Sequence, residues 1–208
     1  MSKVKLIWAT PNGEDLVAYM ARVSNPANQN NKETSAKLLQ YLVRNKHWSP
    51  FEMVSACVEI ETTRDIGRQI LRHRSFAFQE FSQRYAEVNQ FETGECRLQD
   101  TKNRQNSLLN EDRELADIWE KGQQRLIQDS TELYQWALNN GIAKEVARKV
   151  LPEGLTGSRM YMTGTLRSWI HYLQVRLDPS TQKEHREVAE KILVALQKDF
   201  PNILEVTK

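Results

Sequence analysis

Charged residues recur so often along this chain that they decide the environment in which it can fold. The longest stretch without Asp, Glu, Lys or Arg is the eleven residues from Leu133 to Ala143, whereas a helix that crosses a bilayer needs about 20 apolar residues. The segment before Pro11 holds two lysines and too few apolar residues for a signal peptide. We therefore expect a soluble, cytoplasmic protein that contacts no membrane.

Length and composition favour one compact domain. The chain has 208 residues, of which 39% are hydrophobic and 27% charged, enough for a domain with its own core. With eight glycines and six prolines it is neither collagen-like nor of low complexity. We find no repeat and no linker, so we predict a single domain over residues 1–208. The net charge is only +2, so any binding of anions must be local.

Cysteine and histidine spacing gives no sign of a disulfide framework or a metal site. Cys57 and Cys96 lie 39 residues apart without a C-x-x-C motif, and the four histidines are scattered. Neither the phosphate-binding motif G-x-x-x-x-G-K-[ST] nor the dinucleotide-binding motif G-x-G-x-x-G occurs. These absences argue against a nucleotide kinase or a dehydrogenase.

Hydrophobic periodicity predicts an α+β fold, with helices flanking a small, mainly antiparallel sheet. Strands are predicted over Lys3–Ala9, Met53–Glu61 and Ser158–Gly164. The main predicted helices span about residues 14–23, 32–45, 64–73, 111–140, 165–177 and 180–198. Residues 89–110 are polar and lack a period, and we expect a mobile excursion there.

The helix predicted from Glu111 to Asn140 is the longest, and Asn140-Gly141 supplies its stop signal. Its apolar residues are predicted to trace one stripe, formed by Leu115, Ile118, Leu126, Leu133, Tyr134 and Ala137.

Positive charge is concentrated between Arg64 and Arg84, where five arginines face one Asp and one Glu. A helix places Arg64, Arg68 and Arg72 on one face. If the chain is extended beyond it, Glu80, Ser82 and Arg84 point the same way. Guanidinium groups suit phosphates, so the segment favours a small nucleotide as ligand.

Two other interpretations of this arginine-rich segment remain open. It could be an ordinary solvated face with weak surface ion pairs. It could also belong to a single-stranded nucleic-acid-binding module, with Phe76, Phe78, Phe81 and Tyr85 as stacking platforms.

Four motifs resemble those of the flavin-dependent thymidylate synthases. Arg72-His73-Arg74, seven residues and Ser82 form the R-H-R-x7-S signature, followed by Arg84-Tyr85. Residues 47–52 (HWSPFE), 147–152 (ARKVLP) and 166–176 resemble further elements of that family. The resemblance covers about residues 3–200, and only residues 89–110 give it no support.

The resemblance implies a fold like that of thymidylate synthase-complementing proteins, in a homotetramer that shares active sites and binds no nucleic acid. It implies methylation of deoxyuridine monophosphate (dUMP) to thymidylate. Methylenetetrahydrofolate would donate the carbon, FAD would carry the hydride and NADPH would be the reductant, with no metal and no catalytic cysteine.

Carried over by position, the resemblance also implies residue roles. FAD would be bound by Ser49, Arg72, His73, Arg74, Glu80, Thr165, Leu166, Arg167 and His171. The nucleotide would be bound by Gln69, Ile70, Leu71, Arg72, Glu80, Phe81, Ser82, Gln83, Arg84, Arg148 and Arg176. Arg176 would be catalytic, because a guanidinium near N3 and O4 of uracil stabilises negative charge there.

Two features need an explanation within this resemblance. Arg167 and Arg176 are nine residues apart, so on one straight helix they point about 180° away from each other; sites shared between subunits would resolve this. Three positions also depart from the usual family residues, namely Met53, Gln79 and Ser180, of which Ser180 is a good helix cap.

Overall fold

The computed structural model describes residues 2–205, and the secondary structure agrees with an α+β chain. The elements are β1 (Lys3–Ala9), α1 (Gly13–Ala21), α2 (Ser35–Arg44), β2 (Ser55–Thr63), α3 (Arg64–Ile70), β3 (Ala77–Glu80), β4 (Arg97–Gln99), β5 (Ser107–Leu109), α4 (Arg113–Asn139), α5 (Lys144–Ala147), β6 (Gly157–Thr165), α6 (Leu166–Arg176), α7 (Lys183–Gln197) and α8 (Pro201–Leu204). Short 3-10 helices span Pro26–Asn28, Ser49–Met53 and Arg148–Val150.

The main sheet has four strands in the order β1-β2-β6-β3. Buried and less buried residues alternate along β6, where Ser158, Met160 and Met162 point inward, as expected for strands beside a core. A second sheet pairs β4 with β5 in antiparallel fashion. Residues 89–110, in which the sequence shows no period, thus contain a short hairpin that is stabilised by backbone pairing. The mobility expected for this segment stays a prediction.

The chain divides into two compact units, which we name the sheet unit and the α4 unit. The sheet unit comprises Lys3–Ile60, Arg72–Gln79 and the chain from Tyr161 onward; the α4 unit comprises mainly Glu61–Leu71 and Glu80–Met160. The single domain over residues 1–208, a range that includes residues outside those described, stays a prediction.

In the sheet unit, α6 and α7 both contribute buried apolar side chains. Trp169 and Tyr172 of α6 and Ile192 of α7 are fully buried. Gly164 of β6 allows Phe76 to pack closely, because a Cβ at this glycine would lie 2.5 Å from the Phe76 ring. This packing places the residues just before β3 against α6, where the candidate site is found.

In the α4 unit, the core surrounds the C-terminal half of α4. Val88, Tyr134, Ala137 and Ala147 form a buried cluster. The helix begins at Asp112, whose side chain accepts a hydrogen bond from the amide of Leu115. It ends where predicted, with Gly141 in a left-handed conformation at φ 77°.

The predicted apolar stripe lies along α4, but only part of it is buried. Tyr134 and Ala137 are buried, whereas Leu115, Ile118, Leu126 and Leu133 are exposed. The stripe is broader than the surface that the unit's own core can cover, so part of it remains in contact with solvent.

No helix within residues 2–205 is both long enough and apolar enough to cross a bilayer.

Candidate active site

Arg176, the last residue of α6, is held by the histidine of the R-H-R motif. Its Nε donates a hydrogen bond to Nε2 of His73 at 2.8 Å. Because a guanidinium nitrogen can only donate, Nε2 of His73 must carry a lone pair, so the ring is neutral with its proton on Nδ1. Within residues 2–205 the two terminal nitrogens of Arg176 form no hydrogen bond. They are therefore available to a ligand.

Aromatic side chains surround this pair inside the sheet unit. The His73 ring lies edge-on to Tyr172 with ring centroids 4.8 Å apart, and the Tyr172 hydroxyl is 3.1 Å from Nε2 of His185. Burial, aided by the charge of Arg176, lowers the pKa of His73 to about 4 and that of His185 to about 3. Burial raises the pKa of Tyr172. At neutral pH this cluster therefore contains one charge, on Arg176.

Glu52 joins the 3-10 helix Ser49–Met53 to the start of α6. Thr165 donates to its Oε2 at 2.8 Å, and Nη1 of Arg167 donates to its Oε1 at 2.7 Å. These two hydrogen bonds lower the pKa of the Glu52 carboxyl. The order Ser49-Pro50-Phe51-Glu52 has the form of a capping box and predicts Ser49 at the N-cap. This prediction was wrong, because Ser49 is not the N-cap and caps no amide with its side chain. Instead, both oxygens of the Glu52 carboxylate accept hydrogen bonds from residues at the start of α6.

A pocket of about 440 Å³ opens beside this carboxylate. It is lined by Trp48, Glu52, Ser75, Arg167, Ser168, His171 and Gln174. Two residues predicted to bind FAD, Arg167 and His171, are thus brought to one pocket. Thr165 lies at the N-cap of α6, where its hydroxyl accepts from the Ser168 amide, and the Leu166 side chain is fully buried.

The predicted arginine stripe of α3 is present only in part. Arg64 is buried and Arg68 is exposed, but both contact the Glu153 carboxylate, Arg64 at 3.6 Å and Arg68 at 2.8 Å. These two arginines therefore share one face of the helix. The prediction was wrong for Arg72, which lies beyond Ile70, where the helix ends.

Arg72 and Arg74 are exposed side chains of the sheet unit. Neither forms a hydrogen bond or ion pair with another residue in the described part of the chain. In this part of the chain their positive charges have no counter-charge, which suits the binding of an anionic ligand.

Glu80 is held on one side only. In the α4 unit, Nη1 of Arg64 lies 3.4 Å from its Oε1, and the Ser158 hydroxyl donates to the same oxygen at 2.9 Å. The other oxygen, Oε2, accepts no hydrogen bond among residues 2–205. The carboxylate is therefore oriented, with one oxygen available for a ligand.

The extended row of Glu80, Ser82 and Arg84 was a wrong prediction. Strand β3 ends at Glu80, and the chain then turns, with the Ser82 hydroxyl accepting from the Arg84 amide at 3.3 Å. Such local side-chain bonds favour turns over strands. The Arg84 side chain extends to Glu145, with Nε donating at 3.1 Å.

The remaining predicted nucleotide ligands have mixed exposure. Ile70 is fully buried, and Gln83 is buried with its amide nitrogen unpartnered. Gln69, Leu71, Phe81 and Arg148 are half-buried. A contribution of Ile70 to binding would have to come from its backbone. The roles of all these residues stay predictions.

The residues that orient the site were missed by the sequence interpretation. Tyr172 and His185 support His73, and Arg64 and Ser158 hold Glu80. Only Glu52 had a local signal, its place three residues after Ser49. The others act through contacts between distant parts of the sequence, which no local pattern reveals.

Three residues depart from the usual family pattern, namely Met53, Gln79 and Ser180. Met53 and Gln79 are exposed. Ser180 forms a turn with Asp178, to whose Oδ1 its amide donates at 2.8 Å. Because α7 begins at Lys183, the interpretation of Ser180 as a helix cap was wrong.

Cysteine thiols and metal-ligating side chains are two further features of the described chain. Cys57 and Cys96 are free, and burial raises the pKa of the Cys57 thiol, which disfavours the reactive thiolate. Residues 2–205 contain no group of three or more His, Cys, Asp or Glu side chains that could hold a metal ion.

Comparison with known proteins supplies the identification. The fold is shared with a solved UMP/dUMP methylase, PolB from Streptomyces cacaoi bound with 5-Br dUMP, with a TM-score of 0.87, 28% identity, and coverage of 99% of this chain and 94% of that one. The chain thus has the same fold as this solved nucleotide methylase. The thymidylate synthase complementing protein family matches residues 5–202, and the chain belongs to this family, that of the flavin-dependent thymidylate synthases.

Two relatives show how close the match is. The flavin-dependent thymidylate synthase of Synechocystis sp. is 51% identical over 190 residues, 91% of this chain and 87% of the relative. A probable flavin-dependent thymidylate synthase of Paramecium bursaria Chlorella virus 1 is 49% identical over 191 residues, with 91% and 88% coverage.

Proposed function

We propose that this chain converts dUMP to thymidylate by reductive methylation, with methylenetetrahydrofolate as carbon donor, FAD as hydride carrier and NADPH as reductant. The observation that carries the proposal is the bond from Nε of Arg176 to neutral His73. This bond joins Arg176, to which the resemblance gives the catalytic role, to His73, to which it gives a flavin-binding role. Family membership supports the same reaction.

Arg176 would act on the pyrimidine through its free terminal nitrogens. A guanidinium fixed near N3 and O4 stabilises negative charge on the ring and makes C5 more electron-rich towards the one-carbon unit. His73 fixes the orientation of this group, and the buried neutral cluster behind it strengthens its field because nearby water is excluded. Glu80, oriented by Arg64 and Ser158, would accept a hydrogen bond from a ligand through Oε2.

Charged, polar and aromatic side chains of the sheet unit suit the binding of FAD. Arg72 and Arg74 are unpaired cations in the described chain, which matches the two phosphates of the cofactor. The pocket that contains Trp48, Arg167 and His171 offers an aromatic surface and cationic or polar groups. When bound, FAD would supply the hydride chemistry, and these residues would bind and orient it.

A homotetramer with shared active sites belongs to the same proposal. Arg167 is engaged by Glu52 and lines the pocket, whereas Arg176 lies at the other end of α6 and is engaged by His73. Sites built from more than one subunit would use both ends of this helix. We place the enzyme in the cytoplasm, where unpaired thiols such as Cys57 and Cys96 persist.

A nucleic-acid-binding role has weaker support. Phe76 packs against Trp169 at 4.6 Å between ring centroids and is largely buried, so it does not offer a face on which a base could stack. We propose that nucleic acid is not a partner.

The test is an anaerobic assay with dUMP, methylenetetrahydrofolate, FAD and NADPH. The purified protein should bind FAD, show flavin absorbance and form thymidylate. Arg176→Ala should lose most of this activity, and Arg44→Ala, an exposed control on α2, should retain it. Lack of thymidylate from the unmutated protein refutes the function, and full activity of Arg176→Ala refutes the catalytic role.

A further inference from the structure

Another pocket of the sheet unit, of about 470 Å³, opens beside the end of α1 and the first turns of α2. We name it the Arg22 pocket. Its polar and aromatic lining is formed by Arg22, Ser24, Asn25, Asn28, Lys37 and Tyr41. Among the described residues, no Asp or Glu contributes to this lining. The pocket is therefore rich in positive and polar groups and lacks negative ones.

Arg22 is a buried cation without a counter-charge. The residue is 7% exposed. Its Nη1 donates to the backbone oxygen of Asn31 and its Nη2 to the Thr34 hydroxyl at 2.9 Å, so both partners are neutral. In the part of the chain that the structure describes, Arg22 forms no ion pair and its Nε donates no hydrogen bond. Arginine does not lose its proton in proteins, and buried charges are normally paired. The surroundings of Arg22 therefore suit an anion.

Lys37 adds a second cation to the Arg22 pocket. Its side chain is exposed and has no hydrogen bond or ion pair with another described residue. From Arg22 to Lys46 the sequence contains five Lys and Arg residues and one acidic residue, whereas the net charge of the whole chain is +2. Within residues 2–205, only Lys32 of these five cations forms an ion pair, with Asp15 at 2.9 Å. This local excess of positive charge attracts anions.

The other polar side chains of the Arg22 pocket supply hydrogen-bond donors. The side chains of Ser24 and Asn25 form no hydrogen bond with any described residue. The side-chain oxygen of Asn28 accepts from Asn31 at 2.9 Å, which leaves its amide group available. Hydroxyl, amide, ammonium and guanidinium groups all donate to phosphate oxygens. A phosphate group offers three acceptor oxygens, so it can use more of these donors than a carboxylate can.

We propose that the Arg22 pocket binds the phosphate group of a small phosphate monoester. The phosphate lies against Arg22 and Lys37, whose two positive charges match a charge of about −2 on the monoester. The volume of the pocket lies in the range of about 300–1,000 Å³ that is usual for small-molecule sites. The Tyr41 ring, which is 53% exposed, offers an aromatic surface to the organic part of the ligand. The inference concerns binding alone and does not rest on the proposed function.

The first experiment measures the binding of ribose 5-phosphate by calorimetry at constant ionic strength. It uses the full chain with saturating FAD and dUMP, which fill the sites of the proposed reaction. Lys37→Glu should weaken binding about 10-fold or more, because a hydrogen bond between charged groups is lost. Arg44→Glu is the matched control, since it makes the same change of charge on α2 outside the pocket lining. Its dissociation constant should stay within about twofold, because salt screens exposed charges.

The same titration identifies the kind of ligand. Inorganic phosphate should bind more weakly than ribose 5-phosphate, because it has no organic part to contact Tyr41, and ribose should not bind. Lack of binding of ribose 5-phosphate to the unmutated protein, or an equal loss in Lys37→Glu and Arg44→Glu, overturns the proposal. Equal affinities for the two phosphates overturn the assignment of a monoester in favour of free phosphate.

The second experiment tests the buried charge of Arg22. In Arg22→Gln the amide can still donate to Asn31 or Thr34, but the charge is removed. Saturating ribose 5-phosphate should raise the free energy of unfolding of the unmutated protein and of Arg44→Glu, and it should not raise that of Arg22→Gln. An equal rise in Arg22→Gln overturns the role of Arg22. If this variant does not fold, the comparison of Lys37→Glu with Arg44→Glu decides the proposal by itself.

Discussion

At the scale of single residues, two side chains to which we give roles are each oriented by neighbours in their own unit. Arg176 is fixed through one nitrogen by His73, and Glu80 is fixed through one oxygen by Arg64 and Ser158. In each case the remaining polar atoms of the side chain have no partner in the described chain. Under the proposed function, the orienting residues should affect catalysis beyond their effect on stability.

We expect His73→Gln to retain more activity than His73→Phe. A glutamine oxygen can accept from Nε of Arg176, whereas phenylalanine leaves this donor without a partner. A lost hydrogen bond to a charged group is worth about 1.5–3 kcal/mol, so kcat/KM for dUMP should fall about 10- to 100-fold more in the phenylalanine variant. Equal kcat/KM values in the two variants would contradict this role of the bond.

We expect Arg64→Met to be far more damaging than Arg68→Met. The Arg64 side chain is 8% exposed beside Glu80, whereas that of Arg68 is 53% exposed beside Glu153. Removing one partner of a buried ion pair costs about 3 kcal/mol or more, and an exposed pair contributes about 0–1 kcal/mol.

Urea unfolding of both variants measures this difference. Calorimetry of dUMP binding tests the effect on Glu80. The affinity for dUMP should be partly restored in Arg64→Lys relative to Arg64→Met. Similar unfolding free energies for the two methionine variants would show that the Arg64 pair is not structurally important.

At the scale of elements, sequence patterns predicted those parts of the fold that are set locally. Strand β1 matched the predicted range, and the glycine stop of α4 was correct. The turn after β3 was not predicted, although the hydrogen bond from the Arg84 amide to Ser82 is local, and the end of α3 at Ile70 was not predicted either. The residue roles that the R-H-R-x7-S motif implies stay predictions. The contacts that orient the candidate site join residues up to 115 positions apart, which no local pattern reveals.

We expect Gly164→Ala to destabilise the protein through the contact between β6 and Phe76. The added Cβ would lie 2.5 Å from the ring, and such overpacking costs about 1–3 kcal/mol. Gly154→Ala is the control, because no atom lies within 4 Å of its Cβ position. Equal unfolding free energies for the two variants, measured in urea, would mean that the Phe76 ring moves aside freely.

At the scale of the whole molecule, buried neutral histidines link stability to pH. His73 and His185 have lowered pKa values in the folded protein, about 4 and about 3, against 6.5 in the unfolded chain. Between these values the unfolded state binds more protons, so acid favours unfolding. The neighbouring charge of Arg176 acts in the same direction.

The free energy of unfolding should therefore fall as the pH decreases from about 6.5 towards 4. Below that range the lowered pKa values of Glu52 and Glu153 should extend the loss. In His185→Gln the slope of stability against pH should decrease by about one proton. Chemical denaturation at a series of pH values measures this slope, and an identical slope in the variant would contradict the assignment of a buried neutral His185.

The bond between His73 and Arg176 also restricts how such a protein can evolve. Replacement of His73 by a residue without a hydrogen-bond acceptor leaves Nε of Arg176 without a partner in a confined, largely apolar space. Intermediates of this kind would lose fitness before a new pair could arise. Among descendants of this sequence, position 73 should therefore keep an acceptor as long as position 176 keeps arginine.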